Sequence, residues 1–253
     1  MGCDKEYIIR LNTVDSTNRY LRDEADALWN RVGGYNGTVV VTAENQTAGR
    51  GQRGNVWNSN AGENLLLSIL VRPGCSLEVC NQFILSQLVA VALHDTMLCY
   101  GIETKLKWPN DIYVGNCKLA GVLVELDYSG AFVEQAIIGI GLNVNQENFP
   151  QMDRIPVSMK MLKERRFVVE DVLGTFLDFF NNYYAEIRFG NRNAFVQEYT
   201  KLLLGFNEKH SFMDSAGGFD AVIEGVDGYG YLLLRRSNGT LSRYAFKEVE
   251  LLL

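Results

Sequence analysis

Two apolar runs, TVVVTAEN (38–45) and NLLLSILVRP (64–73), flank the glycine-rich segment TAGRGQRGNVWNS (47–59). The runs are rich in valine and leucine, which predicts two strands of a sheet. The segment between them contains too much glycine for a helix and is too polar for a buried strand. The chain therefore has to place a long polar loop between two strands of its core.

The remaining patterns predict an α+β fold, with a mixed sheet flanked by helices. The further predicted strands are 6–12, 104–108, 112–114, 118–126 and 132–144. The predicted helices are 15–30, capped by Asp15, Ser16 or Thr17, then 77–100, capped by Ser76, then 168–187 and 195–204. Residues 154–166 have no clear period and are predicted as a loop.

The character of the sequence changes near residue 206. Short alternating runs are separated there by Asp227-Gly228 and Asn238-Gly239, which is typical of tight turns in a small β structure. We therefore predict a domain at 1–205 and a small β domain at 206–253.

Composition restricts the function. A chain of 253 residues with 47% hydrophobic content can bury one sizeable core. Its net charge of -6 argues against general nucleic-acid binding. Five cysteines without CxxC spacing and two histidines favour a reduced chain without a zinc site or a histidine-based nucleophilic site. No apolar run reaches the roughly 18 residues of a membrane span, so we predict a soluble, cytoplasmic protein.

The glycine-rich segment has two interpretations. It is either a long connection with solvated arginines or an anion cradle, in which backbone N–H groups, Arg50 and Arg53 donate to a ligand. It does not match the phosphate loop GxxxxGK[ST], so any nucleotide site is of another kind.

Two later stretches leave similar alternatives. On a strand at 104–108, Lys105 and Lys107 share one face, either in solvent or beside an anion, and Lys118 follows in the next hairpin. In GIGLNVN (139–145), Gly139 and Gly141 either leave room for a flat ligand or mark a bulge or tight packing.

Five segments together resemble the biotin protein ligases. They are DSTN (15–18), ENQTAGRGQRGNVW (44–57), KWPND (107–111), KLAGVLVE (118–125) and GIGLNVN (139–145), in the order and spacing of that family. The resemblance covers roughly residues 6 to 205. It implies a catalytic domain of the class II synthetase-like type, followed by a small SH3-like β-barrel.

The resemblance also implies the reaction. The carboxylate of biotin attacks the α-phosphate of ATP to give biotinyl-5′-AMP, and a lysine of a biotin carboxyl carrier protein, as in acetyl-CoA carboxylase, then takes the biotin. Such a step depends on fixed cations and backbone donors rather than on histidine. Mg²⁺ would be held mainly by the phosphates, without direct ligation by the protein.

Family positions imply roles for individual residues, with Lys107 and Arg50 as the catalytic pair. The expected biotin-binding residues are Ser16, Thr17, Asn18, Gln46, Arg50, Gly51, Gln52 and Lys107. The expected ATP- or adenylate-binding residues are Arg50, Arg53, Trp57, Lys107, Asn110, Lys118 and Asn143.

Two departures from the family pattern matter. Many members read GRGRRG where this chain has Gln52, which keeps a donor but loses a charge. Some members begin with a DNA-binding helix-turn-helix, whereas here the first strand is predicted by residue 6, so we expect no DNA binding. A lipoate ligase and a non-catalytic biotin sensor remain as alternatives, and the oligomeric state is either monomer or homodimer.

Overall fold

A seven-stranded mixed sheet forms the centre of the protein. The computed structural model describes residues 7–32, 38–150, 155–190 and 193–252, without the side chains of Arg53, Asn193 and Ala194. The strands of this sheet are β1 (Tyr7–Val14), β2 (Val39–Gln46), β3 (Leu65–Val71), β4 (Lys105–Lys107), β5 (Asp111–Val114), β6 (Cys117–Ser129) and β7 (Phe132–Leu142). Their order is β1-β2-β3-β7-β6-β5-β4. Only the β1–β2 pair is parallel, so the mixed sheet predicted from the sequence is confirmed.

Helices cover both faces of this sheet. They are α1 (Thr17–Arg31), α2 (Ile84–Cys99), α3 (Met159–Lys163), α4 (Val169–Arg188) and α5 (Asn193–Leu202). Val39 and Val41 pack against α1, whereas Val40 belongs to the larger cluster around α2 and α4. This alternation along one buried strand explains why the sequence of β2 is continuously apolar.

The helix α2 lies in the middle of the core. The stretch Val79–Cys99 is apolar and long enough to cross a membrane, but 67% of its most apolar window is buried in the fold. It is apolar nearly all round because the sheet, α4 and α5 surround it.

A second, five-stranded antiparallel sheet follows, in the region where the sequence predicts a small β structure. Its strands are β8 (Lys209–Asp214), β9 (Gly217–Val226), β10 (Leu232–Arg236), β11 (Leu241–Tyr244) and β12 (Val249–Leu251), in the order β11-β10-β9-β8-β12. This arrangement is consistent with the expected SH3-like barrel. Trp108 joins the two parts, since its indole N–H donates to the carbonyl of Gly230 (3.0 Å).

One helix begins later than its sequence pattern predicts. The stretch 77–100 becomes helical only at Ile84, because Val79 N–H donates to the Ala131 carbonyl and the Leu77 carbonyl accepts from Val133 N–H, both at 2.9 Å. These bonds hold the first residues against the start of β7. Ser76 therefore caps no helix, and its hydroxyl donates to the carbonyl of Pro73 (2.5 Å).

Smaller differences concern other element ends. The predicted loop 154–166 contains α3, whose first turn is capped by the Ser158 hydroxyl accepting from Met161 N–H (3.2 Å). Ser16 occupies the N-cap of α1 without a capping side-chain bond. The first strand runs on to Val14. Residues 6 and 154 of the predicted ranges lie outside the described residues.

Candidate active site

The predicted binding segments meet around one cavity of about 80 Å³ at the ends of β2, β6 and β7. Its lining includes Ser16, Thr17, Asn18, Gln46, Arg50, Gly51, Gln52, Trp57, Asn110 and Lys118. The sheet brings them together because β2 and β7 both pair with β3, and β6 pairs with β7. Residues more than 100 positions apart in the sequence therefore face one space.

Thr17, Asn18 and Gln46 line one side of the cavity, and together with the buried Ser68 behind them they form what we call the polar wall. The backbone N–H of Thr17 donates to Gln46 Oε1 (2.8 Å), and its hydroxyl donates to the same oxygen (3.1 Å). The Ser68 hydroxyl lies 2.7 Å from Thr17 Oγ1 and 2.5 Å from Asn18 Oδ1. Thr17, Asn18 and Ser68 are almost fully buried, so these bonds fix their side chains.

Ser68 was missed by the sequence analysis. It is fully buried in β3, a strand that is otherwise apolar. A single hydroxyl in such a strand was the available signal, because a buried polar group requires a partner. The sequence alone did not reveal that its partners would come from residues 17 and 18, on another element.

Glu125 was also missed, and it connects the polar wall to the glycine-rich loop. Its carboxylate accepts from the Asn18 amide (2.9 Å) and from two nitrogens of Arg50 (2.9 and 3.3 Å). A carboxylate in the apolar run KLAGVLVEL was the signal. Arg50 therefore lines the cavity with its charge already paired.

Lys118 is the second cation at the cavity, and it is paired in the same way. Its ammonium group lies 2.7 Å from a carboxylate oxygen of Asp111, which is only 4% exposed. It also lies 5.5 Å from the ring centre of Trp57. Both Arg50 and Lys118 thus have a carboxylate partner that an anionic ligand would have to replace.

Trp57 and Asn18 occupy the space that the two glycines of β7 leave open. A Cβ atom at Gly141 would overlap the Trp57 indole, and one at Gly139 would overlap the Asn18 amide. Of the two interpretations of GIGLNVN, tight packing therefore applies in this conformation. The small volume of the cavity follows from the position of Trp57.

The glycine-rich loop carries two buried polar atoms without partners among the described residues. They are Trp57 Nε1 and Gln52 Oε1. The loop otherwise closes on itself, since Gly51 N–H donates to the Asn55 carbonyl (2.7 Å) and Trp57 N–H to the Gly49 carbonyl (3.0 Å). Unsatisfied buried groups are costly, which marks this conformation as one that a ligand can improve.

Lys107 does not line the cavity. It lies on the edge strand β4, which is three strands from β7, or about 14 Å at the usual strand spacing. Its ammonium group is 5.3 Å from the ring centre of Tyr113, along an adjoining cleft of about 870 Å³ between the two sheets. The cleft shares Asn55 and Phe246 with the cavity, and Lys107 pairs in register with Asp111, which lines the cavity. The role of Lys107 beside Arg50 therefore stays a prediction.

Asn143 and Asn110 have structural bonds. Asn143 is 3% exposed, and its amide donates to the carbonyl of Val157 (3.1 Å) and, at 3.4 Å, to that of Lys118. It therefore lies behind Lys118 rather than in the cavity. Asn110 lines the cavity, but its amide donates to the Val122 carbonyl (2.6 Å). The side chain of Arg53 lies outside the described residues.

No group of three or more metal-ligating side chains occurs among the described residues. The one carboxylate beside Lys118 is engaged in its ion pair. The cavity itself therefore offers an anion two cations, a hydrogen-bonding wall and the backbone of a glycine-rich loop.

A family model described as "Biotin/lipoate A/B protein ligase family" matches residues 11–143. The matched range contains every segment that lines the cavity up to Gly141. It ends before the second sheet.

Two relatives and one solved structure resemble the chain over most of its length. The "Biotin--[acetyl-CoA-carboxylase] ligase" of Paracoccus denitrificans is 31% identical over 242 residues, covering 90% of this chain and 94% of the relative. The "Bifunctional ligase/repressor BirA" of Bacillus spizizenii is 32% identical over 85% of this chain, and the match spans 66% of that relative's length. The biotin protein ligase of Aquifex aeolicus, solved with biotin and ATP, has a TM-score of 0.78 and 25% identity, covering 97% of this chain and 98% of that one.

Proposed function

The chain belongs to the biotin/lipoate A/B protein ligase family, and from this premise we propose that it activates biotin with ATP and transfers it to a lysine of a carrier protein. The observation that supports this most strongly is the cavity itself. One small space is bordered by the buried polar wall, by the glycine-rich loop and by the paired cations Arg50 and Lys118. Such a site fits a ligand with a polar ring at one end and an acid group at the other.

The polar wall suits the ureido ring of biotin. That ring has two N–H donors and one carbonyl acceptor, so it needs both kinds of partner. Gln46, Thr17 and Asn18 supply them from positions fixed by their mutual bonds. We propose that these residues, with Ser16, hold the ring without rearranging.

The first chemical step joins the carboxylate to the nucleotide. A carboxylate oxygen of biotin forms a bond to the α-phosphorus of ATP, the bond to the bridging oxygen breaks, and pyrophosphate leaves. Negative charge on the phosphate oxygens has to be stabilised, and fixed cations do this best in a site from which water is excluded. We assign this role to Arg50 and Lys118 in the cavity and to Lys107, which lines the adjoining cleft.

The second step consumes the mixed anhydride. The lysine amine of the carrier attacks the acyl carbon, the bond to the phosphate oxygen breaks, AMP leaves and the amine loses a proton. The glycine-rich loop must shield the anhydride from water until the carrier arrives. Its two unsatisfied polar atoms and its glycines are consistent with a loop that changes conformation.

Ligand binding requires Trp57 to move. Pockets for small molecules usually have volumes of about 300–1,000 Å³, far more than the present cavity. Displacing the indole from above Gly141 would open the face of β7 to the ligand. The same motion would release the contact between Trp57 and Lys118.

Several further features are proposals of the same kind. We expect Mg²⁺ to arrive with the phosphates of ATP, since the described residues provide no carboxylate cluster for it. The acceptor is a biotin carboxyl carrier protein of acetyl-CoA carboxylase or a related carboxylase, and the enzyme works in the cytoplasm. We place the boundary of the small C-terminal domain at residues 205–206 and suggest that it helps to close the site.

The test is exchange between ATP and labelled pyrophosphate, measured separately with biotin and with lipoate. Biotin-dependent exchange is the expected result. Exchange with lipoate alone would identify a lipoate ligase, and tight biotin binding without exchange would identify a sensor. Either of those results would contradict the proposed function.

A further inference from the structure

Glu125 contacts the two sides of the cavity at once. It stands on β6, with its side chain 19% exposed, and accepts hydrogen bonds from Asn18 on α1 and from Arg50 in the glycine-rich loop. Among the described residues, no other carboxylate accepts hydrogen bonds from both Asn18 and Arg50. We infer that Glu125 is a positioning residue with two tasks. It orients the Asn18 amide, and it holds the Arg50 guanidinium until an anionic ligand takes the place of the Glu125 carboxylate.

The first task follows from the chemistry of the Asn18 amide. An amide has one acceptor and two donor hydrogens, and rotation by 180° exchanges their positions. Here Oδ1 faces the Ser68 hydroxyl (2.5 Å), while Nδ2 donates to Glu125 (2.9 Å). Asn18 is 3% exposed, so water cannot easily replace either partner. Glu125 thus determines which group Asn18 presents to a ligand.

The second task follows from the geometry of Arg50. Two of its nitrogens face the two oxygens of one carboxylate, which is the bidentate arrangement that a guanidinium prefers. The same fork would suit the carboxylate of biotin or a phosphate. Arg50 cannot make both pairs at once, so an anionic ligand competes with Glu125. A neutral ligand does not compete.

Two variants of Glu125 distinguish the two tasks from each other. In Glu125→Gln the amide oxygen can still accept from Asn18, but the negative charge that holds Arg50 is lost. In Glu125→Ala both interactions are lost. A carboxylate on the same strand provides a control, since Asp127 forms an ion pair with Arg22 (3.1 Å) and does not line the cavity. Asp127→Asn repeats the loss of charge at that position.

The experiment rests on the proposed function and uses two probes, biotin and the neutral biotinamide. Dissociation constants are measured by calorimetry at one ionic strength for the full-length wild type and the three variants. In Glu125→Gln we expect the affinity for biotin to rise about two- to fivefold relative to the affinity for biotinamide. This is the change in affinity that corresponds to the loss of one partly exposed ion pair. In Glu125→Ala we expect biotinamide to bind about tenfold more weakly, because Asn18 loses a charged partner. Asp127→Asn should leave both constants within about twofold.

The ratio of the two constants is insensitive to general damage, which weakens both ligands alike. Adding Arg50→Ala to Glu125→Gln should remove the gain for biotin, since the released group is then absent. An unchanged ratio in Glu125→Gln, or normal biotinamide binding in Glu125→Ala, would overturn the inference. Failure of the wild type to bind either probe would instead contradict the proposed function, and the inference with it.

Discussion

The polar wall and the glycine-rich loop face each other across one cavity, yet they differ in how well their polar groups are satisfied. In the wall, Thr17, Asn18 and Ser68 are buried and bonded to one another or to Gln46. In the loop, Gln52 and Trp57 each bury a polar atom that has no hydrogen-bond partner within the described part of the chain. The difference indicates a division of labour, in which the wall recognises the ligand as it stands and the loop is completed by the ligand.

The two sides also differ in their connection to the sheet. Ser68 and Glu125 belong to strands inside the sheet, and Gln46 ends β2. The loop has only a few backbone bonds of its own, such as the Arg50–Val56 bridge. Segments with few buried contacts open at low free energy, as loops that close over a substrate must.

The largest expected effect concerns Lys118, the cation that β6 contributes to the cavity. Lys118→Ala should lower the rate of biotin-dependent pyrophosphate exchange by about 10²–10³, the usual loss for one donor to developing charge. Lys105→Ala on the edge strand β4 is the matched control and should cost much less, because Lys105 is exposed and lines neither the cavity nor the adjoining cleft. Equal losses in both variants would show that the cavity has been assigned to the wrong lysine.

The next prediction concerns the wall. Thr17→Val keeps the shape of the side chain but removes the hydroxyl that connects Gln46 with Ser68. Biotin should bind about tenfold more weakly, because buried partners are left unsatisfied. Thr96→Val, at another buried threonine bonded to a backbone carbonyl, controls for stability, and calorimetry measures both. If the two variants bind biotin equally well, the wall does not recognise the ring.

A substitution at one glycine tests whether the glycine-rich loop opens more easily than the polar wall. Gly141→Ala would force the Trp57 indole away from β7 and should raise hydrogen exchange across residues 49–57 without ligand. Gly174→Ala, where an added Cβ meets no neighbour, is the control. Unchanged exchange in the Gly141 variant, measured by mass spectrometry, would mean that Trp57 does not anchor the loop.

The smallest effect is expected at Gln52. Gln52→Arg adds a charge beside the cavity and should slow the release of biotinyl-5′-AMP by about two- to fivefold, as a partly exposed charge pair would. The exposed Gln197→Arg controls for net charge. Release that is equally fast in both variants would place Gln52 away from the adenylate.

Much of the fold could be predicted from the sequence, because its strands and helices have clear periods. The continuous apolar character of 64–73 identified β3, and alternation with turn residues identified the C-terminal sheet. The predicted start of α2 was too early because apolar periodicity cannot separate the short 3₁₀ stretch and turn at 79–83 from the helix that follows.

The site was less accessible to sequence reasoning. The family segments indicated which parts of the chain would meet, but Glu125 and Ser68 bind their partners across strands, and no local pattern encodes such pairs. The predicted role of Lys107 came from its family motif alone. The strand order places it at the edge of the sheet, three strands from β7.

A structure of the protein with biotin and a non-hydrolysable ATP analogue tests the central claim most directly. We predict that Arg50 leaves Glu125 and Lys118 leaves Asp111 to contact the biotin carboxylate and the α-phosphate. Trp57 should move from above Gly141, while the bonds among Thr17, Gln46 and Ser68 persist. An empty cavity with both ion pairs intact would contradict the account.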